Sequence, residues 1–252
     1  MAPKNIVRKS TEEEVAVALA EYIFQQSAKH IADHDSFSVV LSGGTLIETL
    51  RKLLEPKYLN SIAWSKWLIF FLDERVVPLD DPDSNYKLAN DGFLKKVPIP
   101  KCNIYHIKEG LSPEKAAEEY EKQIKDLVAN EKLRTSSITR FAKFDLMLVG
   151  MGPDGHVASL FCWHFERFEK EKWVTFITDS PKPPPKRITF TFPLINSSSE
   201  IAMVVTGEDA ADAVKMALGP HASYGYPLPV QKVSPEGELT WFLDEAATSK
   251  LP

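Results

Sequence analysis

Asp154 and His156 stand two residues apart in FDLMLVGMGPDGHVASL (144–160), where an apolar run meets a glycine-rich turn. A carboxylate beside an imidazole is a proton-transfer pair: the acid can orient the ring, and the ring takes or gives a proton near neutral pH. A strand end holds such a pair rigidly, and glycines let backbone approach a ligand with no Cβ in the way. The same segment spells G-x-G-x-x-G through Gly150, Gly152 and Gly155, the dinucleotide fingerprint, with Asp179 near the position expected of a ribose-binding acid. Three features oppose that reading. Asp154 would face a pyrophosphate, Pro153 removes a backbone donor, and the apolar run after His156 breaks at Phe161-Cys162-Trp163-His164. A plain tight connection is the other alternative.

Two more candidate sites follow apolar runs. Ser42-Gly43-Gly44-Thr45 ends FSVVL (37–41) and precedes LIETLRKLL. Small residues ahead of a helix make a nest of N–H groups suited to phosphate; the alternative is a glycine turn with Thr45 as N-cap. No Walker lysine is present, so this is no nucleotide P-loop. Asp73-Glu74-Arg75 ends WLIFFL (67–72), with Asp83-Ser84-Asn85 a little further on. Arg75 can hold an oxyanion in its planar fork, whereas Glu74 is expected to close the loop in an Arg–carboxylate pair. His30, His34, His106, His164 and His221 are read as surface or packing residues, since no metal-ligand pairing is evident.

The elements that position these residues alternate. Ser10 with Glu13 forms a capping box for a helix over about 11–32, with Val15, Leu19 and Ile23 on one face. Helices are expected at 84–96, from Pro113 to about 129, and at 209–218. Strands are expected at 37–41, 67–72, near 104–107, and at 144–149, 173–178, 187–192, 200–206 and 239–243. Fully apolar strands alternating with helices predict an α/β fold, a largely parallel sheet with helices on both faces. Pro181–Lys186 (PKPPPK) should form a stiff extended loop, and no domain boundary is visible, so 1–252 is read as one domain.

Composition sets the outer limits. The 252 residues are 44% hydrophobic and 26% charged, with net charge −5, no basic block and no apolar run long enough for a bilayer. Nucleic acid and membrane are therefore not expected partners, and an anionic substrate must be caught by a local cluster of donors. Cys102 and Cys162 have no metal-ligand spacing and are read as free thiols in a reducing compartment. The first residues, MAPKNIVRKSTEEE, lack signal or transit character, and Pro252 masks the preceding Ser249-Lys250-Leu251, so the cytosol is expected.

SGGT at 42–45, DERVVP…DSN at 73–85, GMGPDGHVASLF at 150–161 and DSPKPPPKRITFT at 179–191 together resemble the 6-phosphogluconolactonases, above all those of the plant cytosol. These are pentose-phosphate-pathway hydrolases related to glucosamine-6-phosphate isomerase/deaminase. The resemblance covers nearly the whole chain. It implies a modified Rossmann-like fold, hydrolysis of 6-phospho-D-glucono-1,5-lactone, and neither metal nor nucleotide cofactor. It implies His156 as the catalytic histidine with Asp154 beside it, Gly43, Gly44 and Thr45 as the phosphate/sugar loop, Asp73 and Arg75 as a second site segment, and Arg187. With the residue chemistry above, His156 is expected to be the base, Arg75 to hold the oxyanion, and Ser42 and Asp73 to join the sugar-phosphate contacts. The substrate would then be a small sugar-phosphate lactone, and a monomer is expected.

Two positions depart from the family pattern. Cys162 replaces a proline, within an altered stretch at 162–170 (CWHFERFEK), and Ala210 stands where relatives carry a phosphate-contacting lysine. Losing that charge-assisted bond would cost about 1.5–3 kcal/mol of binding unless Lys182, Lys186 or Lys215 fills the space. A weakened or non-catalytic sugar-phosphate binder is thus one alternative. An amino-sugar-phosphate isomerase or deaminase is another, opposed by the absence of an acid in Val157–Phe161 (VASLF).

Overall fold

The computed structural model describes residues 4–219 and 227–251. The chain runs β1 (Lys4–Lys9), α1 (Glu12–His34), β2 (Phe37–Leu41), α2 (Leu46–Thr49), α3 (Pro56–Leu59), β3 (Trp67–Phe71), β4 (Asp73–Arg75), α4 (Asn85–Gly92) and α5 (Pro113–Ala129). It continues through β5 (Arg134–Thr135), β6 (Ala142–Lys143), β7 (Leu146–Val149), β8 (Val174–Ile177), β9 (Arg187–Phe190), α6 (Phe192–Asn196), β10 (Glu200–Val205), α7 (Ala211–Leu218) and β11 (Glu238–Asp244).

Six strands form one parallel sheet in the order β1-β11-β10-β7-β2-β3. Their side chains alternate between two cores, because strand residues point to opposite faces in turn. Val39, Leu41, Ile69, Phe71, Leu146 and Leu148 pack against Val15, Leu19 and Ile23 of α1. Val40, Phe70, Met147, Val149, Met203 and Trp241 pack on the other face against Ala116, Tyr120 and Ile124 of α5. This is the expected Rossmann-like α/β arrangement, and a strand buried on both sides reads as unbroken apolar sequence.

Four expectations are corrected. The 173–178 and 187–192 runs do not join the main sheet; with β4 they form a separate antiparallel sheet, β4-β9-β8, laid over the α5 side of the core. Near 104–107 there is only a bridge from Ile104 to Ile69. The cap of α1 sits one residue later, Thr11 accepting from the Glu14 N–H at 3.2 Å while Glu14 accepts from the Ser10 N–H at 2.9 Å. Ser10-Thr11 followed by Glu12-Glu13-Glu14 offers the box in two registers. The helix after SGGT lasts four residues and gives way to a 3₁₀ turn over Leu50–Leu54. Strand β1 was not expected at all: KNIVRK has little apolar pattern and is an edge strand placed by its parallel pairing with β11.

The opposite edge, β3, is closed by a side chain. The Tyr120 hydroxyl of α5 accepts from the Phe71 N–H at 2.9 Å and donates to the Tyr105 carbonyl at 3.1 Å, and both Tyr120 and Phe71 are buried. Tyr120→Phe keeps the ring and strands that N–H. It should destabilise the protein by about 1–3 kcal/mol in urea unfolding; an unchanged midpoint would mean the edge needs no such closure.

Candidate functional site

Parallel strands put the loops that follow them on the same edge of a sheet. Since β10, β7 and β2 are neighbours, the segments after Val205, Val149 and Leu41 meet there, and the Ser42 N–H donates to Leu148 O at 3.0 Å. Between them lies a cleft of about 190 Å³. Ser42, Gly43, Gly44, Thr45, Asp73, Arg75, His156 and Arg187 all line it, while Asp154 stands behind His156. Ligands of open α/β sheets bind at this carboxyl edge.

The glycine loop is open. Among the described residues no partner is found for the N–H groups of Gly43, Gly44 or Thr45. Thr45 does occupy the N-cap position of α2, as the glycine-turn alternative had it, its carbonyl accepting from the Thr49 N–H at 3.2 Å, but at φ −60° its side chain makes no capping bond. Gly43 must be glycine because a Cβ would lie 2.0 Å from Asn85 Oδ1. Asn85 itself lines the cleft, buried, its amide donating to Asp73 O at 3.0 Å. It was absent from the predicted site, although the DSN triplet was its signal.

Across the cleft, His156 Nδ1 is 2.6 Å from Asp154 Oδ1, and the ring packs on Phe161 with centroids 4.6 Å apart. Gly152 makes room: a Cβ there would lie 2.1 Å from the ring. Burial pulls the Asp154 carboxyl upward, but the bond from His156 and the charges of His156 and Lys182 outweigh it and hold the group well below the usual carboxylate range. An ionised Asp154 accepts the proton on Nδ1, which leaves the Nε2 lone pair free for proton abstraction.

The DER segment divides by role. Glu74 is 1% exposed and forms no ion pair with Arg75, contrary to expectation. Its carboxylate accepts from the backbone N–H groups of Arg75 (2.8 Å), Asn85 (2.7 Å) and Tyr86 (2.7 Å), which ties β4 to the start of α4. Asp73 is buried, accepts from Ser159 Oγ at 2.7 Å and lies 3.9 Å from Arg187 Nη1. Arg75 donates to Asp83 O at 2.7 Å, yet its Nε has no partner among the described residues. Arg187 lines the cleft, is 3% exposed and spends Nε and Nη2 on the carbonyls of Lys182, Pro183 and Pro184, so that Nη1, 3.9 Å from Asp73, makes none of these bonds. Burial, then the like charge of Arg75, lowers its pKa.

The two departures are both accommodated. Ala210 is 6% exposed and belongs to the core. Lys186 and Lys215 are exposed and do not line the cleft, whereas Lys182 reaches Asp154 and His156. In 162–170, Arg167 is buried and binds the carbonyls of Cys162 and Pro227, so the segment is organised around a guanidinium.

His30 and His34 were not expected to pair, and they do. One helical turn apart, they direct Nδ1 and Nε2 at the same oxygen of buried Asp145, at 3.4 and 3.1 Å. Arg134 also donates to that oxygen, so a cation already neutralises it. Burial lowers His30 to about 4. The spacing was visible in the sequence, but Asp145, more than a hundred residues away, was not. His221 lies outside the described residues.

The profile of the family described as glucosamine-6-phosphate isomerases/6-phosphogluconolactonase matches residues 10–241. A rice protein named probable 6-phosphogluconolactonase 4, chloroplastic, is 56% identical over 241 residues, 95% of this chain and 74% of its own. An Arabidopsis protein named probable 6-phosphogluconolactonase 2 is 51% identical over 256 residues, covering 100% of this chain and 97% of its own. Among solved structures, 6-phosphogluconolactonase from Thermotoga maritima superposes with a TM-score of 0.81 at 30% identity, over 96% of this chain and 100% of that one.

Burial pushes the Glu74 carboxyl up to about 7 against the pull of its three N–H donors. Its pKa is thus raised on folding. Between about 4.5 and 7 the folded protein holds a proton that the unfolded chain has lost, so Glu74 makes stability fall as pH rises through that window, by at most about 3 kcal/mol. Glu74→Gln should flatten the difference in urea stability between pH 5 and pH 7. Identical slopes in the two proteins would refute it.

Proposed function

The chain belongs to the glucosamine-6-phosphate isomerase/6-phosphogluconolactonase family, and we propose that it acts there as the lactonase, hydrolysing 6-phospho-D-glucono-1,5-lactone to 6-phospho-D-gluconate in the oxidative pentose phosphate pathway. The observation that carries the mechanism is one cleft with, on one wall, a glycine loop whose N–H groups are unpartnered among the described residues and, on the other, a carboxylate-oriented imidazole. A hexose phosphate has this polarity, a dianion at one end and the reacting carbonyl at the other.

In this reading the phosphate sits on the N–H groups of Gly43, Gly44 and Thr45, with Ser42 and Arg187 Nη1 beside it. His156 Nε2 takes a proton from water as the oxygen attacks C1. Arg75 and backbone N–H groups stabilise the oxyanion, and Asp73 holds Arg187 in place. When the bond from C1 to the ring oxygen breaks, His156 returns its proton to that oxygen. Holding both ends of the lactone supplies the orientation. No covalent nucleophile is required.

The deaminase alternative has no acid in Val157–Phe161 to open a ring. The non-catalytic alternative rested on Ala210 and 162–170, and both are absorbed by packing while the Asp154–His156 bond is intact. We read residues 1–252 as one monomeric domain, a state that size-exclusion chromatography checks. A cytosolic setting is part of the proposal, supported by two Arabidopsis relatives whose names carry no compartment, and is checked by subcellular fractionation. No helix among the described residues is long and apolar enough to cross a membrane.

His156→Ala should lower kcat for the lactone by about 10²–10⁴ while 6-phosphogluconate binds within a few-fold of its original affinity. Gly152→Ala should produce a large part of the same kcat loss with the histidine still present, because the added Cβ displaces the ring. Full activity in His156→Ala would refute the assignment of the base.

A further inference from the structure

One charged side chain touches both members of the dyad and has no part in the steps above. Lys182 Nζ lies 3.2 Å from Asp154 Oδ1 and 3.4 Å from His156 Nδ1. Its backbone is braced from two directions. Buried Arg187 donates Nη2 to Lys182 O and Pro183 O and Nε to Pro184 O, and Ser180 Oγ accepts from the Lys182 N–H while donating to Lys182 O. The stiff proline run and this buried guanidinium fix the point from which the lysine reaches over.

The contact is asymmetric. An ammonium has only donors, and the 2.6 Å separation of His156 Nδ1 from Asp154 Oδ1 assigns the Nδ1 proton to that bond. Both His156 and Lys182 therefore donate to Asp154 Oδ1, and Lys182 meets Nδ1 as a neighbouring charge. Alone, ionised Asp154 would favour the imidazolium, which has no lone pair on Nε2 and cannot act as a base. A cation against the same carboxylate offsets that pull.

We propose that Lys182 is a positioning residue of the lactonase: it holds the Asp154 carboxylate against Nδ1 and opposes protonation of the His156 ring, so that Nε2 remains available as the base toward lower pH. The inference rests on the reading of His156 as general base.

The other charged or titratable groups around the ring are fewer than the crowding suggests. Cys162, whose thiol meets Asp154 O at 3.6 Å, is pushed up by burial and stays neutral. His164 stands beyond Phe161, 4.0 Å from Asp179. Across the cleft Asp73 and Arg187 offset each other at 3.9 Å, and Arg75 is bound to Asp83 O. Glu74 is turned away onto residues 84–86.

The test is kcat/KM against pH for the wild type, Lys182→Met, Lys182→Arg and His156→Ala, with 6-phosphogluconate binding measured in parallel and spontaneous lactone hydrolysis subtracted. Because the Lys182 side chain is 41% exposed, solvent screens its charge. The acid limb in Lys182→Met is expected to move upward by about one pH unit, lowering kcat/KM roughly tenfold more on the acid side than on the plateau. Lys182→Arg, which keeps the charge, should restore the limb. A limb that stays put in Lys182→Met, or moves as far in Lys182→Arg, overturns the inference. If His156→Ala retains the rate, the premise falls and the inference with it; if it is inactive while the Lys182→Met limb is unmoved, only the inference falls.

Discussion

The adjacency of β10, β7 and β2 in a parallel sheet is the constraint on which the rest of the site depends. A parallel strand sends its successor loop to one edge, so three neighbours bring three loops together whatever their distance along the chain. Ser42 and His156 are more than a hundred residues apart, yet the former continues β2 and the latter follows β7, one strand over. The register Leu41 to Leu148 and the bond from the Ser42 N–H to Leu148 O set the separation of the two walls. Local sequence then decorates that edge. Gly43 and Gly152 both omit a Cβ where the side chains of Asn85 and His156 lie almost on the backbone.

Buried charge around the cleft is divided between scaffolding and chemistry. Glu74 satisfies three backbone donors and attaches α4 to β4, which delivers Asn85 to the cleft. Arg187 braces the proline loop with two of its nitrogens and places the third 3.9 Å from Asp73. These groups are costly to bury and are each tied by several hydrogen bonds to backbone, which gives a rigid frame. Arg75 is the less committed cation, its buried Nε without a partner among the described residues. The guanidinium groups of the cleft are held chiefly by carbonyls, those of Asp83 for Arg75 and of Lys182, Pro183 and Pro184 for Arg187, with Asp73 3.9 Å from Arg187.

Legibility followed the range of the interaction that fixes each feature. FSVVL, WLIFFL and EIAMVV are buried on both faces and announce themselves as strands by composition alone. RITF and VTFI are just as apolar, and nothing in their periodicity separates an antiparallel layer from the main sheet. KNIVRK is the converse case, a strand made by pairing and not by pattern. In the site, the glycine turns and the Asp–x–His spacing are local and were readable. Which of Asp73, Glu74 and Arg75 would be scaffold was not, because Glu74 is defined by donors at Asn85 and Tyr86. Lys182 and the Asp145 cluster are likewise products of tertiary approach across tens of residues or more.

The central claim is that a single hexose derivative spans the cleft from the glycine loop to the imidazole. A crystal structure with 6-phospho-D-gluconate bound tests it most directly. The account predicts the phosphate on the N–H groups of Gly43, Gly44 and Thr45 and the C1 carboxylate within hydrogen-bond distance of His156 Nε2. A phosphate seated elsewhere, or a C1 end turned away from His156, would contradict it.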